Sequence, residues 1–342
     1  MRNSSYTFSQ KKVSCLFDAS FADILTFCKK EKVIIITDDL VYQQHQEKMN
    51  GFKVIRISPG EKNKNQQSAD RVIDTLLQLE TDKQTFIVGV GGGVVTDITG
   101  YAASIFKRGV RLGLVPTSIL GMVDAAIGGK NGVNVGVCKN MVGTIYQPEF
   151  ILYDYSFLDT LPVKEWINGF AEIIKHACIK DALLFGMLER YSLHDIQADS
   201  TLIASLIEQN AAIKMEIVTA DEYEKADRKL LNFGHTFGHA IENLHELPHG
   251  HAISIGMVAA CNLSEKINGL GFDDAQRVVK LLTKYHLPVD IETDYKKVFD
   301  LLKLDKKRED DYMHFVLLNK IGEAEAKPVS LNFLQEHIKS IL

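Results

Sequence analysis

Five of the eleven histidines fall within one short segment, at His235, His239, His245, His249 and His251. That segment, NFGHTFGHAIENLHELPHGHAISIGM, reads as helix on either side of a turn at Pro248-His249-Gly250. His235 and His239 are four apart and share one helix face, so they could address one metal or one substrate. His249 sits where the chain re-enters a helix. A distant carboxylate, Glu172 in GFAEIIKHACIK, lies on another helical segment. A catalytic zinc takes three protein ligands and leaves one or two positions open. Glu172, His235 and His249 meet that count, which leaves His239 for proton transfer or phosphate contact. The set suits zinc and cobalt alike. Thr236 stands where an HExxH protease carries its glutamate, and neither a GxSxG elbow nor a P-loop lysine motif is present.

A second constellation lies upstream. TFIVGVGGGVVTDITGYAASIF places Gly89, Gly91, Gly92 and Gly93 after an apolar run. Such glycines let a pyrophosphate approach the backbone, with N–H groups aimed at it beside a helix N-terminus. The GxGxxG fingerprint is broken at Val94, and the usual acidic residue about twenty positions on is missing. Asp38, at the end of IIITDD, could instead meet a ribose hydroxyl. Taken alone, the loop is equally well a tight strand-to-helix connection. NAD together with a Lewis-acid metal would imply alcohol oxidation.

Between these two groups, KRGVRLGLVPTSILGMVDAAIGGKNGVNVGVCKN carries Asp124, Lys130, Lys139 and Asn140 among glycines, with Lys107 and Arg108 ahead of them. Each lysine alone is a solvated surface charge, and helix-end capping explains Lys107 and Arg108. Together, in a chain of net charge −5, they favour an anionic ligand such as a phosphate or carboxylate. Lys175 and His176 follow Glu172 on one helical face. Lys214 lies on a later helix, and Arg228 and Asn232 lead into His235. Asn232 reads as a helix cap as readily as a ligand. His176, His245 and His251 read as structural or solvated.

The elements that must position these residues fall into two textures. β-Branched runs at 33–37, 53–57, 85–90 and 111–115 alternate with helical patterning at 40–49, 65–80 and 96–107, the signature of a Rossmann-like parallel α/β sheet. Helical stretches follow at 165–192, 200–219, 235–246, 252–269 and 274–285, with an extended run at 313–318. The expected organisation is an N-terminal α/β domain over 1–157 and an all-helical domain over 158–342, with the active site in the cleft between them. Hydrophobic content of 46% and charged content of 24% suit a soluble globular protein. The mild negative charge gives no footprint for nucleic acid or an anionic membrane. Five scattered cysteines without a CxxC pair, no signal-peptide stretch and no membrane-length apolar run point to the cytoplasm.

GGGVVTDITGYAASIFKRG, VPTSILGMVDAAIGGKNGVN, KNMVG, GFAEIIKHA and NFGHTFGHAIE followed by HGHAISIGM closely resemble the 3-dehydroquinate synthase family. The resemblance runs from about Asp38 to VLLNKIG at 316–322. It implies an NAD-binding α/β domain, a helical domain holding metal and substrate, and a homodimer. It also implies conversion of 3-deoxy-D-arabino-heptulosonate 7-phosphate (DAHP) into 3-dehydroquinate and phosphate. The implied steps are transient oxidation, phosphate elimination, reduction, ring opening and aldol closure. Carried over by position, Glu172, His235 and His249 would bind the metal. Asp38, Glu61, Lys64, Gly91, Gly92, Gly93, Asp97, Thr117, Ser118 and Lys139 would line the NAD site. Asp124, Lys130, Asn140, Lys175, Lys214, Arg228, Asn232 and His239 would surround the substrate. Arg108 would reach the substrate phosphate of the neighbouring subunit, and Lys306 or Lys307 would close over it.

The chain departs from the family pattern at Ala125 and Ala126, where serines are common, and at Asn131, where threonine is common. The interval from His235 to His249 is also short. Sister cyclases acting on neutral sugar phosphates tend to lose carboxylate-binding residues and the second histidine of the pair, whereas Lys214, Arg228 and His239 are present here. A metal-dependent alcohol or glycerol dehydrogenase would release NADH stoichiometrically and need no such cationic pocket. A non-catalytic NAD- or sugar-phosphate-binding regulator would tolerate loss of metal ligands, and none is lost.

Overall fold

The computed structural model describes residues 2–9, 11–136, 138–303 and 308–342. Its first strands are β1 (Arg2–Thr7), β2 (Lys12–Phe17) and β3 (Val33–Asp38), followed by α1 (Asp39–His45), β4 (Lys53–Ile57) and α2 (Gln66–Gln78). Next come β5 (Phe86–Gly91), α3 (Gly93–Ile105), β6 (Arg111–Pro116), a hairpin of β7 (Lys130–Val135) and β8 (Cys138–Ile145), and β9 (Phe150–Leu152). Seven of these form one sheet in the order β1-β2-β9-β6-β5-β3-β4, parallel throughout except for the β1–β2 pair. Every residue of β5 is buried and β3 is buried up to Asp38, which is why both read as unbroken apolar runs rather than alternating ones. The β7–β8 hairpin is separate from this sheet and packs on α3.

Helices then predominate: α4 (Val163–Lys180), α5 (Ala182–Arg190), α6 (Leu193–Ala198), α7 (Ser200–Ala220), α8 (His235–His245), α9 (His249–Asn268), α10 (Phe272–Lys284) and α11 (Tyr295–Leu302). The helix expected over 165–192 is broken at Asp181, whose Oδ1 accepts the N–H groups of Leu183 and Leu184 and so caps α5. The run at 313–318 lies within β11 (Tyr312–Lys320), between β10 (Arg308–Glu309) and β12 (Glu323–Ser330) in an antiparallel sheet, before α12 (Leu331–Ile341). The helical region therefore also carries a three-stranded sheet.

The chain packs as two compact units. One comprises Met1–Trp166 with Ala204–Tyr223, the other Ile167–Ile203 with Glu224–Leu342. The first unit runs to Trp166 before the chain enters the second, and most of α7 packs with the sheet. In the first unit Phe86, Val88, Phe150 and Phe157 form the core. In the second, Phe237 of α8 packs on Phe315 of β11, with ring centroids 4.9 Å apart, among Leu263, Val298 and Leu334. That core anchors the helix that carries His235 and His239. Among the described residues no helix is long and apolar enough to cross a membrane.

Candidate active site

In the first unit, Gly91, Gly92 and Gly93 join β5 to α3. None has a positive φ. Their role is steric: a Cβ on Gly91 would strike the Val95 side chain, and one on Gly93 would lie 3.1 Å from the Ala125 methyl. The α3 N-terminus has Gly92 at its cap with no side-chain acceptor, so its first-turn N–H groups face no competing cap from that residue. Thr117, just after β6, donates its backbone N–H to the Gly91 carbonyl at 3.0 Å, and Ser118 Oγ accepts the Gly121 N–H at 3.1 Å. Asp38 Oδ1 accepts the N–H groups of Leu40 and Val41, both at 2.9 Å, and so caps α1. Burial raises the Asp38 pKa against the pull of those two bonds.

Lys64, Asp97 and Asn140 come together. Lys64 Nζ pairs with the Asp97 carboxylate and donates to Asn140 Oδ1 at 2.6 Å. Burial lifts the Asp97 pKa above the ordinary range although Lys64 opposes it. Asn134, which the sequence reading passed over, ties this group together. Its N–H donates to the Lys64 carbonyl at 2.7 Å, its Nδ2 to Glu61 at 2.8 Å, and its Oδ1 accepts the Asn140 N–H at 3.0 Å. Lys214 of α7 reaches Asp124, 2.8 Å from its carboxylate and 2.6 Å from its main-chain oxygen. Lys139 is half-buried on β8, while Lys130 and Arg108 are exposed. Lys107 and Arg108 both occupy left-handed backbone, with φ of 49° and 62°. That is a costly conformation for two adjacent non-glycine residues.

The turn that leads from Asp124 to Lys130 passes through Gly128 and Gly129, with φ of 95° and 68°. Asn131 holds it: Nδ2 donates to the Gly129 carbonyl at 2.7 Å and to the Tyr146 carbonyl at 3.0 Å. An amide nitrogen has two protons for these two acceptors, whereas a hydroxyl has one.

In the second unit, Glu172 of α4, His235 at the start of α8 and His249 at the start of α9 converge. Their ligand atoms all lie within 4.8 Å of one another. Glu172 Oε1 is 3.1 Å from His249 Nε2 and 3.5 Å from His235 Nε2, and the residue is wholly buried. Its other oxygen pairs with Lys175, one turn further along α4. His235 Nδ1 lies 3.1 Å from the Phe233 carbonyl. A carbonyl only accepts, so the neutral ring keeps its proton on Nδ1 and its Nε2 lone pair faces Glu172. Glu242, a buried residue two turns along α8, lies 3.7 Å from His249 Nδ1 and is the corresponding partner for that ring. Nothing in its local sequence marked it.

The charge states of Glu172 and His235 fit a cation. Burial drives the His235 pKa down to about 3, with Lys175 and His249 adding to the effect and Glu172 opposing it. Burial also acts downward on His249, but hydrogen bonds to Glu172 and Glu242 overcome it and push that group up to about 10. Burial acts upward on Glu172, yet Lys175 and the two histidines hold it well below the ordinary carboxylate range. Glu172 is thus held as a carboxylate and His235 as a neutral imidazole, the forms in which both would ligate a divalent ion, while His249 would give up its proton on joining them.

His239 stands beside the triad, its ring 5.4 Å from that of His235 and nearly perpendicular to it. Arg228 is 2% exposed in a 3-10 turn over Asp227–Asn232. Asn232 donates to Glu224 at 2.8 Å. It does not cap α8, where Gly234 occupies the cap position with φ of 76°. His245 bonds Thr293, and His176 is buried on α4. Lys306 and Lys307 lie outside the described residues.

Among solved structures, 2-epi-5-epi-valiolone synthase from Streptomyces hygroscopicus, with NAD+ and Zn2+ bound, superposes with a TM-score of 0.87 at 27% identity, covering 100% of this chain and 99% of that one. A 2-deoxy-scyllo-inosose synthase complexed with carbaglucose-6-phosphate, NAD+ and Co2+ gives 0.83 at 24% identity over the full length of both chains. An iron-containing alcohol dehydrogenase gives 0.66 at 12% identity, covering 99% of each chain. The fold is that of the sugar-phosphate cyclases.

Sequence models of the N-terminal and C-terminal parts of 3-dehydroquinate synthase match residues 54–168 and 169–308. The 3-dehydroquinate synthase of Dichelobacter nodosus is 38% identical over 310 residues, 87% of this chain and 84% of that protein. That of Saccharolobus solfataricus is 40% identical over 286 residues, 81% of each. The chain belongs to the 3-dehydroquinate synthase family and is an enzyme of that type.

Proposed function

We propose that the chain converts DAHP into 3-dehydroquinate and inorganic phosphate. The observation that carries the proposal is the convergence of Glu172, His235 and His249, whose ligand atoms all lie within 4.8 Å of one another. Membership of the family and a valiolone synthase solved with NAD+ and Zn2+ support it. When bound, NAD would take a hydride from the C5 carbinol of the substrate and return it after phosphate has left, while the cation would acidify that hydroxyl.

The first unit would bind the nucleotide. Gly91, Gly92 and Gly93 would admit the pyrophosphate to the first turn of α3, and Asp38, Glu61, Lys64, Asp97, Thr117, Ser118 and Lys139 would line the rest. The second unit would hold the cation. There Lys175 fixes one Glu172 oxygen and leaves the other to face the imidazoles. Arg228, permanently charged and buried, is suited to grip a carboxylate. Lys130, Lys214, Asp124, Asn140, Asn232 and His239 would hold the remaining substrate oxygens, and Arg108 would serve the phosphate of a neighbouring subunit. This is a site of many binders and few acids and bases, so conformational control would do much of the chemistry, with the departing phosphate acting as its own base.

Retention of Lys214, Arg228 and His239 favours a substrate with both a carboxylate and a phosphate over the neutral sugar phosphates of sister cyclases. Supplying DAHP, glucose 6-phosphate and sedoheptulose 7-phosphate in parallel tests this. Phosphate release from DAHP alone is expected. Release from either neutral sugar phosphate and none from DAHP would overturn the assignment. We also take the working assembly to be a homodimer. Exposed Met141, Val142 and Ile145 on β8 are consistent with a covered face, and sedimentation velocity reporting a monomer would contradict it.

A further inference from the structure

The three residues of the metal centre come from separate helices, so the position of one helix against another sets its geometry. Helix α9 begins at His249, and the residue in its cap position is Pro248, whose side chain has no acceptor. The first-turn N–H of Gly250 is satisfied from elsewhere: it donates to Asn168 Oδ1 at 2.5 Å. Asn168 lies on α4, one turn before Glu172 and on the same face. The two segments are also in close backbone contact, because a Cβ on Gly250 would strike the Asn168 carbonyl. A single amide therefore ties the helix that carries Glu172 to the helix end that carries His249.

We propose that Asn168 is a positioning residue of the metal centre, capping α9 from α4 and so setting the separation of Glu172 from His249. The inference rests on the reading of Glu172, His235 and His249 as metal ligands. A purely structural cap would lower the melting temperature of the metal-free protein and leave its affinity for zinc unchanged. A positioning cap changes the affinity of the folded protein. Groups that orient metal ligands are worth about ten- to a hundredfold in affinity, and about tenfold is expected for a contact that acts through a helix end.

The test is zinc affinity by competition with a chromogenic chelator, for the full-length wild type, Asn168→Ala, Asn168→Asp and His249→Ala, each shown to be folded by circular dichroism. Asn168→Ala should bind zinc about tenfold more weakly. Asn168→Asp, which keeps an acceptor for the Gly250 N–H, should match or exceed the wild type. If the alanine variant does not fold, Asn168→Gln, with its acceptor one methylene further out, takes its place with the same expected loss. Wild-type affinity in the alanine or glutamine variant, with binding lost in His249→Ala, would overturn the role of Asn168 while leaving the centre intact. Undiminished binding in His249→Ala would overturn the centre itself, and the inference with it.

Discussion

Replacing Lys64 by methionine isolates the electrostatics of the first unit. The lysine side chain is 7% exposed and that of its partner, Asp97, 15%, so water can do little to screen the carboxylate left behind. Breaking a buried pair from one side costs about 3–5 kcal/mol while the surviving charge stays ionised. Asp97 can escape by taking up a proton. Reckoned from the ordinary carboxylate range, at about 1.4 kcal/mol per pH unit, that route costs at most about 4 kcal/mol at pH 7 and at most about 1.5 kcal/mol at pH 5, and less because the folded Asp97 pKa is already raised. The deficit should therefore be at most about 4 kcal/mol at pH 7 and shrink to about 1.5 kcal/mol or less at pH 5.

The sign follows from linkage. In the wild type the Asp97 pKa is already raised by burial, so its folded form binds a proton more readily than the unfolded chain does. Stability from that proton is complete below the unfolded pKa and is lost as pH rises through the folded one. Removing Lys64 moves the folded pKa further up and widens the window. Urea unfolding at both pH values, followed by the fluorescence of the sole tryptophan, Trp166 of the same unit, measures the deficit. The double variant Lys64→Met/Asp97→Asn should recover most of it. Equal losses at pH 5 and pH 7, or a double variant as unstable as the single one, would refute the reasoning.

Three further outcomes are expected. Arg228→Ala should lower kcat/KM for DAHP by about a hundredfold or more, since an unpaired buried carboxylate costs several kcal/mol; unchanged kcat/KM would sink that role. Glu172→Gln should lose its metal to mild chelation, and a variant that still holds one ion per chain by elemental analysis would count against the ligand assignment. Burial pushes the Cys15 thiol up to about 12 and raises those of Cys178 and Cys261, whereas Cys28 is only half-buried. A thiol reagent at pH 8 should therefore label Cys28 before those three, as peptide mapping would read. Early labelling of Cys178 or Cys261 would show that the second unit opens more readily than its packing implies.

What the sequence disclosed tracks how local each feature is. β3 and β5 were legible because burial on both faces leaves a continuous apolar run. Helical spacing linked His235 to His239, whereas the group that converges, Glu172, His235 and His249, was suggested by residue type and ligand count, since Glu172 lies 63 positions ahead of His235. The β1–β2 hairpin was missed because β1 reads RNSSYT and is mostly exposed, with no apolar face to betray it. β12 reads EAEAKPVS for the same reason. Helix α7 joins the sheet-bearing unit although its sequence neighbours lie in the other, a long-range partition that composition does not carry. Asn134, Glu242 and Asn168 gain their roles only from contacts across elements. Asn131 drew notice in the sequence for its residue type alone, and its two bonds to the Gly129 and Tyr146 carbonyls were not legible there.

The most direct test is the number of phosphates released from DAHP per NAD supplied, with zinc-loaded protein, before and after EDTA. Many phosphates per NAD are expected, with no accumulation of NADH, loss of turnover on chelation and recovery when zinc is returned. NADH rising in step with substrate consumed, or phosphate release indifferent to EDTA, would contradict the account.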